Sequence, residues 1–410
     1  MRALSDVPEK QVWKTIETLR SWVRKERYAG WDPYDALSGR LAEIMPESWI
    51  VRVLAIQFNL YSPVNFRPVL GIGKDITNKS LLLFSRAYSY LFAVTKEDAY
   101  KVESEKLLRL VEGKRLKNSI GAEKDVFLCS SYYFKYIAPK HLLSPEIPDI
   151  ICITEFIKSA VAAYEVLGRK QYLLMAKKGI KGLVKALLCE KEQGTYFKYT
   201  PFEENRIVFD VSGLALEAMS GVLRHSYNPE LVSIGNKVVK LLVDYQRGDG
   251  AWPFSYDLEK RSYYWQLDYH QGFIIDGLLA FYPYVDGELK KSCMVAIRKG
   301  VEFFQEKQLC PEGYFYYRYP LKYPINIHNQ AQGIITFANL YRFFRDAEYL
   351  RMAEKILKWT IDNMRDPSGY FYSHKWPGFV NKIPYMRWAQ AWIMLAMSYY
   401  LYTTHQDKLH

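Results

Sequence analysis

Apolar and polar positions along this chain sort into two kinds of helical segment. One kind carries an apolar stripe and a Lys/Glu-rich face, over residues 9–27, 97–117, 169–188, 228–246, 286–308 and 346–364. The other is apolar nearly all round, over 77–95, 149–167, 208–224, 268–283, 328–344 and 386–403. A helix with one polar face lies at a surface, whereas one apolar on every side is enclosed. The pattern predicts six outer and six inner helices.

The connections have two lengths. From inner to outer helix they are short, marked by Thr95-Lys96, Gly168, Asn228-Pro229, Asp286-Gly287 and Asp346. From outer to inner they run about 28–76, 118–148, 189–207, 247–267, 309–327 and 365–385. Loops this long inside a compact domain usually carry function. Helices that alternate in direction place all six on one face. Four of them contain a Gly-x-aromatic turn: Gly194-Thr195-Tyr196-Phe197, Gly250-Ala251-Trp252-Pro253-Phe254, Gly313-Tyr314-Phe315-Tyr316 and Gly369-Tyr370-Phe371-Tyr372. Their glycines stand 56, 63 and 56 residues apart, a period that marks a repeat architecture. The first helix is outer and the last inner, so the two pair and close a ring. The expected fold is all-α: one (α/α)6 toroid over residues 1–410, with short β-hairpins among the long loops.

Composition adds a surface chemistry. The 34 Tyr and 10 Trp exceed what packing requires. Such rings suit a groove that stacks on sugars and hydrogen-bonds hydroxyls, although any single ring fills a core as readily. A formal charge of +12 favours anionic partners. No Lys/Arg block of five and no nucleic-acid motif is present, which argues against nucleic acid. Lys177, Lys178, Lys181 and Lys185 read as a solvated outer face. The five cysteines, Cys129, Cys152, Cys189, Cys293 and Cys310, form no Cys-x-x-Cys. They read as free thiols of a reducing compartment, so a cytoplasmic protein is expected. No metal-ligand spacing suggests a metal or other cofactor. The uncharged run from Trp388 to Gln406 holds Gln390, Ser398 and Thr403, a poor membrane span and a good buried helix.

Every inner helix begins on the long-loop face, so six N-termini point into one mouth, where the main polar cavity is expected. Their partial positive charge and unpaired N–H groups favour a carboxylate, sulfate or phosphate. The residues there are polar: Asn78, Lys79, Asp149, Asp210, Asp268, His270, His328, Asn329, Gln330, Arg387 and Gln390. For Asp149, Asp210 and Asp268 plain N-capping is the bland alternative. The densest group is Trp265-Gln266-Leu267-Asp268-Tyr269-His270-Gln271-Gly272. An imidazole titrates near neutral pH and a neighbouring carboxylate orients it. Adjacent helical residues do not share a face, so Asp268 is expected to cap while Tyr269 or His270 faces the cavity. His328 is either a donor to substrate or a satisfied cap. Arg387, beside Trp388, suits clamping a carboxylate and stacking a sugar, unless a loop carboxylate holds it. The first long loop carries Trp31, Asp32 and Asp35, then Arg67. Two acids three apart suit glycosidase work if their separation is right, but equally a turn and a helix cap.

The segment from Trp265 to Gly272 resembles the Trp-Asp-Tyr-His segment of glucuronyl C5-epimerases, with Leu267 in place of the Trp and without the second His. Gln330-Ala331-Gln332-Gly333, running to Arg345-Asp346-Ala347-Glu348-Tyr349-Leu350, is similar to a second segment of that family, in the opposite order along the chain. The helix pattern as a whole resembles the six-hairpin carbohydrate-active proteins and uncharacterised toroid proteins of polysaccharide-synthesis gene clusters. The resemblance implies a glycan-processing protein acting on an acidic, uronate-containing oligosaccharide or polysaccharide by epimerisation, elimination or hydrolysis. The catalytic candidates are Asp268, Tyr269, His270, His328, Asp32, Asp35 and Asp210. The substrate-binding candidates are Trp31, Trp252, Arg67, Gln330, Arg387, Trp388 and Gln390. A non-catalytic glycan-binding toroid is the alternative. A terpenoid cyclase or prenyltransferase is a weaker one, since neither Asp-x-Asp-Asp nor Asp-Asp-x-x-Asp is present.

Overall fold

Helices without a polar face must be covered on all sides, and the structure covers them by making them the inner wall of a ring. The computed structural model describes residues 9–62, 64–117, 123–138, 141–202 and 205–407. Residues 1–8 and 408–410 of the expected domain, and 118–122 of the second long loop, lie outside the described residues. The helices are α1 Glu9–Lys25, α2 Arg40–Glu43, α3 Trp49–Tyr61, α4 Asn78–Thr95, α5 Asp98–Gly113, α6 Ile150–Leu167 and α7 Lys170–Leu187. They continue with α8 Phe209–Leu223, α9 Pro229–Asp244, α10 His270–Phe281, α11 Gly287–Phe303, α12 Ile327–Phe344, α13 Ala347–Met364 and α14 Trp392–Gln406.

The inner helices pack in the order α4, α6, α8, α10, α12, α14, and α14 returns to α4. In α8 every residue except Glu217 is buried. Outer α1 buries only the stripe Val12, Thr15, Ile16, Leu19 and Val23, spaced as one helical face requires. This is the (α/α)6 toroid.

Three of the four Gly-x-aromatic turns are built alike. The amide of Gly250 donates to Arg247 O at 2.9 Å, that of Gly313 to Cys310 O at 2.9 Å, and that of Gly369 to Asp366 O at 2.9 Å. Two residues after each glycine, a peptide meets a buried glutamine of the following inner helix. Trp252 N donates to Gln271 Oε1 at 2.8 Å, and Gln271 Nε2 returns a bond to Trp252 O at 2.8 Å. Phe371 and Gln390 repeat both bonds at 2.8 Å. Phe315 N donates to Gln330 Oε1 at 3.1 Å, while Gln330 Nε2 caps Asn326 O at 3.2 Å. In the first turn Ser212 Oγ accepts from Phe197 N at 3.2 Å. A buried primary amide satisfies both a donor and an acceptor of a turn that no strand covers.

Each turn also seats on the next outer helix. A β-carbon on Gly250 would stand 2.1 Å from Lys299 O of α11, and one on Gly369 would stand 2.9 Å from Thr18 O of α1. Arg365 Nη2 donates to Thr18 Oγ1 at 2.7 Å beside that contact. The fourth turn therefore joins the end of the chain to its first helix.

Short antiparallel hairpins decorate the long-loop face. Residues 206–208, 255–257 and 262–264 form one three-stranded sheet, and 325–326, 374–376 and 379–381 another. The first long loop is not a plain loop. It contains a 3-10 turn at Asp35–Ser38 and helices α2 and α3. α3 buries Ile56 and Asn59 but leaves Ile50, Leu54 and Phe58 exposed.

The position of the large polar cavity corrects the expectation from the loops. A cavity of about 1000 Å³ opens at the opposite end of the ring, among the C-terminal halves of the inner helices. None of the candidate residues lines it.

Candidate active site

At the mouth, the starts of α8, α10, α12 and α14 bring titratable side chains together. Asp268 precedes α10 and caps it, its Oδ1 accepting from His270 N at 3.2 Å. The same carboxylate bonds His270 Nδ1 and accepts from Gln266 Nε2 at 2.8 Å. His270 Nε2 lies 4.0 Å from Asp210 Oδ2. Burial lowers the pKa of His270, but the charges of Asp268 and Asp210 and the bond to Asp268 outweigh it and raise the net value. Those charges favour the imidazolium form. Asp210, in the first turn of α8, is buried with Oδ1 unpartnered, and burial raises its pKa against the opposing charge of His270.

His328 is the opposite case. Its amide is capped by Asn326 Oδ1 at 2.8 Å. Its ring stacks on Tyr269 at 4.0 Å and 14°, leans on Trp392 at 4.5 Å and meets the edge of Trp388 at 5.0 Å. The residue is 2% exposed, and neither ring nitrogen has a hydrogen-bond partner. Burial, then the charges of Lys79, His270 and Arg387, push its pKa well below the ordinary 6.5. A neutral imidazole with two unmet nitrogens costs about 1–3 kcal/mol of desolvation, and such groups in a folded protein call for an explanation.

Tyr269 bridges the two imidazoles, its ring 4.1 Å from His270 and 4.0 Å from His328. Burial first, and Asp268 next, hold its pKa well above 10, so it is a neutral phenol that can donate but not abstract a proton. Sequence spacing argued that neighbours on a helix cannot share a face. Tyr269 and His270 nevertheless bring their rings within 4.1 Å at the first turn of α10.

Lys79, on the first turn of α4, belongs to the same group. Its Nζ stands 5.0 Å from the Trp392 ring, and burial, then Arg387, lowers its pKa to about 7. The sequence places Lys79 at the mouth but assigns neither it nor Trp392 a catalytic or binding role. The signal was there: a lone cation opening an apolar helix, and a tryptophan one turn beyond Trp388.

The remaining candidates have structural partners. Asp35 is fully buried, with Arg67 Nε at 2.9 Å and Asn59 Nδ2 at 2.7 Å. Burial pushes its pKa up to about 6 against the charge of Arg67. Arg67 Nη2 also donates to Asp32 O at 2.8 Å. Arg387 Nε and Nη2 hold Asp32 at 2.6 and 2.8 Å. Of the two readings left open for Arg387, the structure shows the loop carboxylate, and Asp32, Asp35, Arg67 and Arg387 form two buried ion pairs, since a buried carboxylate needs a counter-charge. Trp252 is fully buried and donates Nε1 to Leu242 O at 2.7 Å, so it fills the core instead of lining the mouth. Gln330 and Gln390 hold turns. Trp31 donates Nε1 to Ile72 O at 3.2 Å at the ring's seam. The structure brings together Asp210, Asp268, Tyr269, His270, His328 and Trp388, with the Arg387 guanidinium 5.5 Å from the Trp388 ring but engaged by Asp32, while Trp31, Asp35, Arg67, Trp252, Gln330 and Gln390 are held by the bonds above.

Among the described residues no group of three or more His, Cys, Asp or Glu is placed to hold a metal ion, and no helix is long and apolar enough to cross a membrane.

The sequence matches no protein-family model and no curated protein. Solved structures share the fold. An unsaturated glucuronyl hydrolase specific for heparin superposes with a TM-score of 0.63 at 13% identity, covering 96% of each chain. A cellobiose 2-epimerase from Bacillus thermoamylovorans gives 0.63 at 14% identity over 81% of this chain and 88% of the other. A family 76 α-mannanase from Bacteroides thetaiotaomicron gives 0.62 at 10% identity over 81% and 87%. The fold is that of the (α/α)6 toroid carbohydrate-active proteins.

Proposed function

We propose that the mouth is the active site of a saccharide epimerase or isomerase, with His328 as the base and His270 as the acid. The observation that carries this reading is the buried imidazole of His328, both nitrogens unpartnered, joined through the Tyr269 ring to His270, which two carboxylates flank. Two like groups whose surroundings push their pKa values apart form an acid–base pair.

The substrate is a sugar bearing a carbonyl or carboxylate next to the carbon that loses its proton, uronates included. His328 takes that proton, and the C–H electron pair becomes the C=C bond of an enol. The oxygen that gains charge is protonated by His270, which leaves neutral. For an isomer, His270 takes the proton of the neighbouring hydroxyl and His328 returns its proton to the adjacent carbon. For an epimer, His270 takes back the enol proton, water protonates the carbon from the other face, and the hydroxide left takes the proton from His328. Trp388, only partly buried, offers a ring for the apolar face of the sugar. Arg387 is bonded to Asp32, so a substrate carboxylate meets Arg318, 3.7 Å from Asp268, and Lys79 in the charged form it holds below a pKa of about 7, aided by the helix N-termini.

The experiment is incubation in deuterium oxide with mannose, cellobiose and uronate oligosaccharides, read by NMR. The expected result is deuterium on the carbon next to the carbonyl or carboxylate. His328→Ala is expected to slow exchange by about 10²–10⁴-fold. Unlabelled sugars throughout, or equal labelling by the variant, would overturn the assignment. One observation favours a second reading, hydrolysis or hydration: Asp210 is a buried acid with an unpartnered oxygen. Cleaved or hydrated products that depend on Asp210, without deuterium exchange, would select it. Binding without either reaction would mark a glycan-binding toroid.

A further inference from the structure

The cavity of about 1000 Å³ at the other end of the ring is separate from the mouth and is lined with charge. Most of its cations are paired. Arg86 Nε lies 2.8 Å from Glu155, Lys158 donates to Glu217 at 2.8 Å, and Arg224 donates to Glu165 at 2.9 Å. Arg345 meets Asp407 at 3.2 Å. Arg342 differs: among the described residues it has no carboxylate partner, and its Nη1 donates instead to the Tyr399 hydroxyl at 2.9 Å. Its guanidinium stands 5.7 Å from the Tyr399 ring and 5.5 Å from the Tyr402 ring.

Two further features bear on what fits there. Tyr90, Tyr399 and Tyr402 form a continuous wall, with ring centroids 5.1 and 4.9 Å apart around Tyr90. Asp276 is 3% exposed, and its Oδ2 accepts from Gln332 at 2.7 Å and Thr336 at 3.0 Å. Its Oδ1 is buried with no hydrogen bond, an acceptor left for a hydroxyl donor.

We propose that this cavity is a second binding site, for a small hydroxylated acid such as a sugar acid or sugar phosphate, with Arg342 holding the anionic group. A guanidinium without a carboxylate pairs readily with a carboxylate or phosphate. The tyrosine wall accepts the face of a sugar ring, and Asp276 accepts from one of its hydroxyls. The site does not depend on the chemistry at the mouth.

Calorimetric titration of the full chain with glucuronate, glucose 6-phosphate, inorganic phosphate and glucose tests the assignment. At least one sugar acid or sugar phosphate should bind more tightly than glucose and inorganic phosphate. Arg342→Gln should weaken that binding by roughly tenfold or more, while His328→Ala leaves it unchanged. Arg342 is on the surface of the cavity, and an unaltered melting temperature of the variant confirms that it folds. Tyr399→Phe should weaken binding less than Arg342→Gln. Binding lost in His328→Ala and kept in Arg342→Gln would place the ligand at the mouth and overturn the proposal. Equal binding of glucose, inorganic phosphate as the tightest ligand, or no binding of any of the four, would overturn it as well.

Discussion

Arg387 and Asp32, 355 residues apart in the chain, form a two-pronged ion pair at 2.6 and 2.8 Å across the seam of the ring. The pair ties the first long loop to the start of the last inner helix, beside the backbone bond from Met386 N to Trp31 O at 3.2 Å.

Breaking that pair on one side leaves a buried charge alone. Arg387→Ala is expected to lower stability by about 3–5 kcal/mol, read by urea denaturation, whereas replacing both partners with apolar residues costs less. Equal losses in the single and double variants would show that the ion pair is not what the seam depends on.

The two imidazoles set the pH profile. His328 is lowered below 6.5 and His270 raised above it, so base and acid are both in their working forms in a window around 6.5. A bell-shaped rate is expected, with an acid limb below 6.5 and an alkaline limb above it. The charge of Lys79 helps to depress His328. Lys79→Met should therefore move the acid limb to higher pH, and a limb that stays or moves down contradicts the assignment.

Asp276 links stability to pH. Its pKa is raised from 3.8 to about 7, by burial first and by Glu217 next. A group raised on folding contributes stability that is full below 3.8 and is lost as pH rises through about 7. Asp276→Asn stays neutral, so its melting temperature relative to wild type should rise by roughly 1–3 °C between pH 5 and 8. A constant difference across that range would show that Asp276 does not titrate there.

Two glycines separate strain from crowding. Gly369 has φ +107° and no room for a β-carbon against Thr18, whereas Gly378 has φ +75° and open space. Gly378→Ala should cost about 1 kcal/mol, from backbone strain alone. Gly369→Ala should cost roughly 2–4 kcal/mol, as strain and displacement of α1 add. Thermal denaturation of the two variants measures the gap.

The ring was legible in the sequence because its helices announce themselves by which faces are apolar. α3 escaped that reading because Ile50, Leu54 and Phe58 face solvent, so its apolar residues mark no core. At the mouth, polarity at the start of an apolar helix identified His270 and His328. The same signal picked out Gln330 and Gln390, which are needed there for turns instead. Polarity at such a position says that a group is required, without saying by what. The Asp35–Arg67 and Asp32–Arg387 pairs bring together residues whose spacing carries no pairing rule. The far cavity had a visible trace as well: Arg86, Glu155, Lys158, Glu217 and Asp276 interrupt helices that are otherwise apolar.

The turn that seats Gly369 on α1 leaves the array with no last member. In an open stack of repeats, the end units have one neighbour and fray first. Here four of the long loops seat a glycine turn on the next outer helix, and the last of them seats on the first helix of the chain. Opening any hairpin removes support from two others, so local melting has no preferred place to begin. Amide exchange should accordingly show the slow protons spread over all six hairpins at a similar level, with exchange through one global opening.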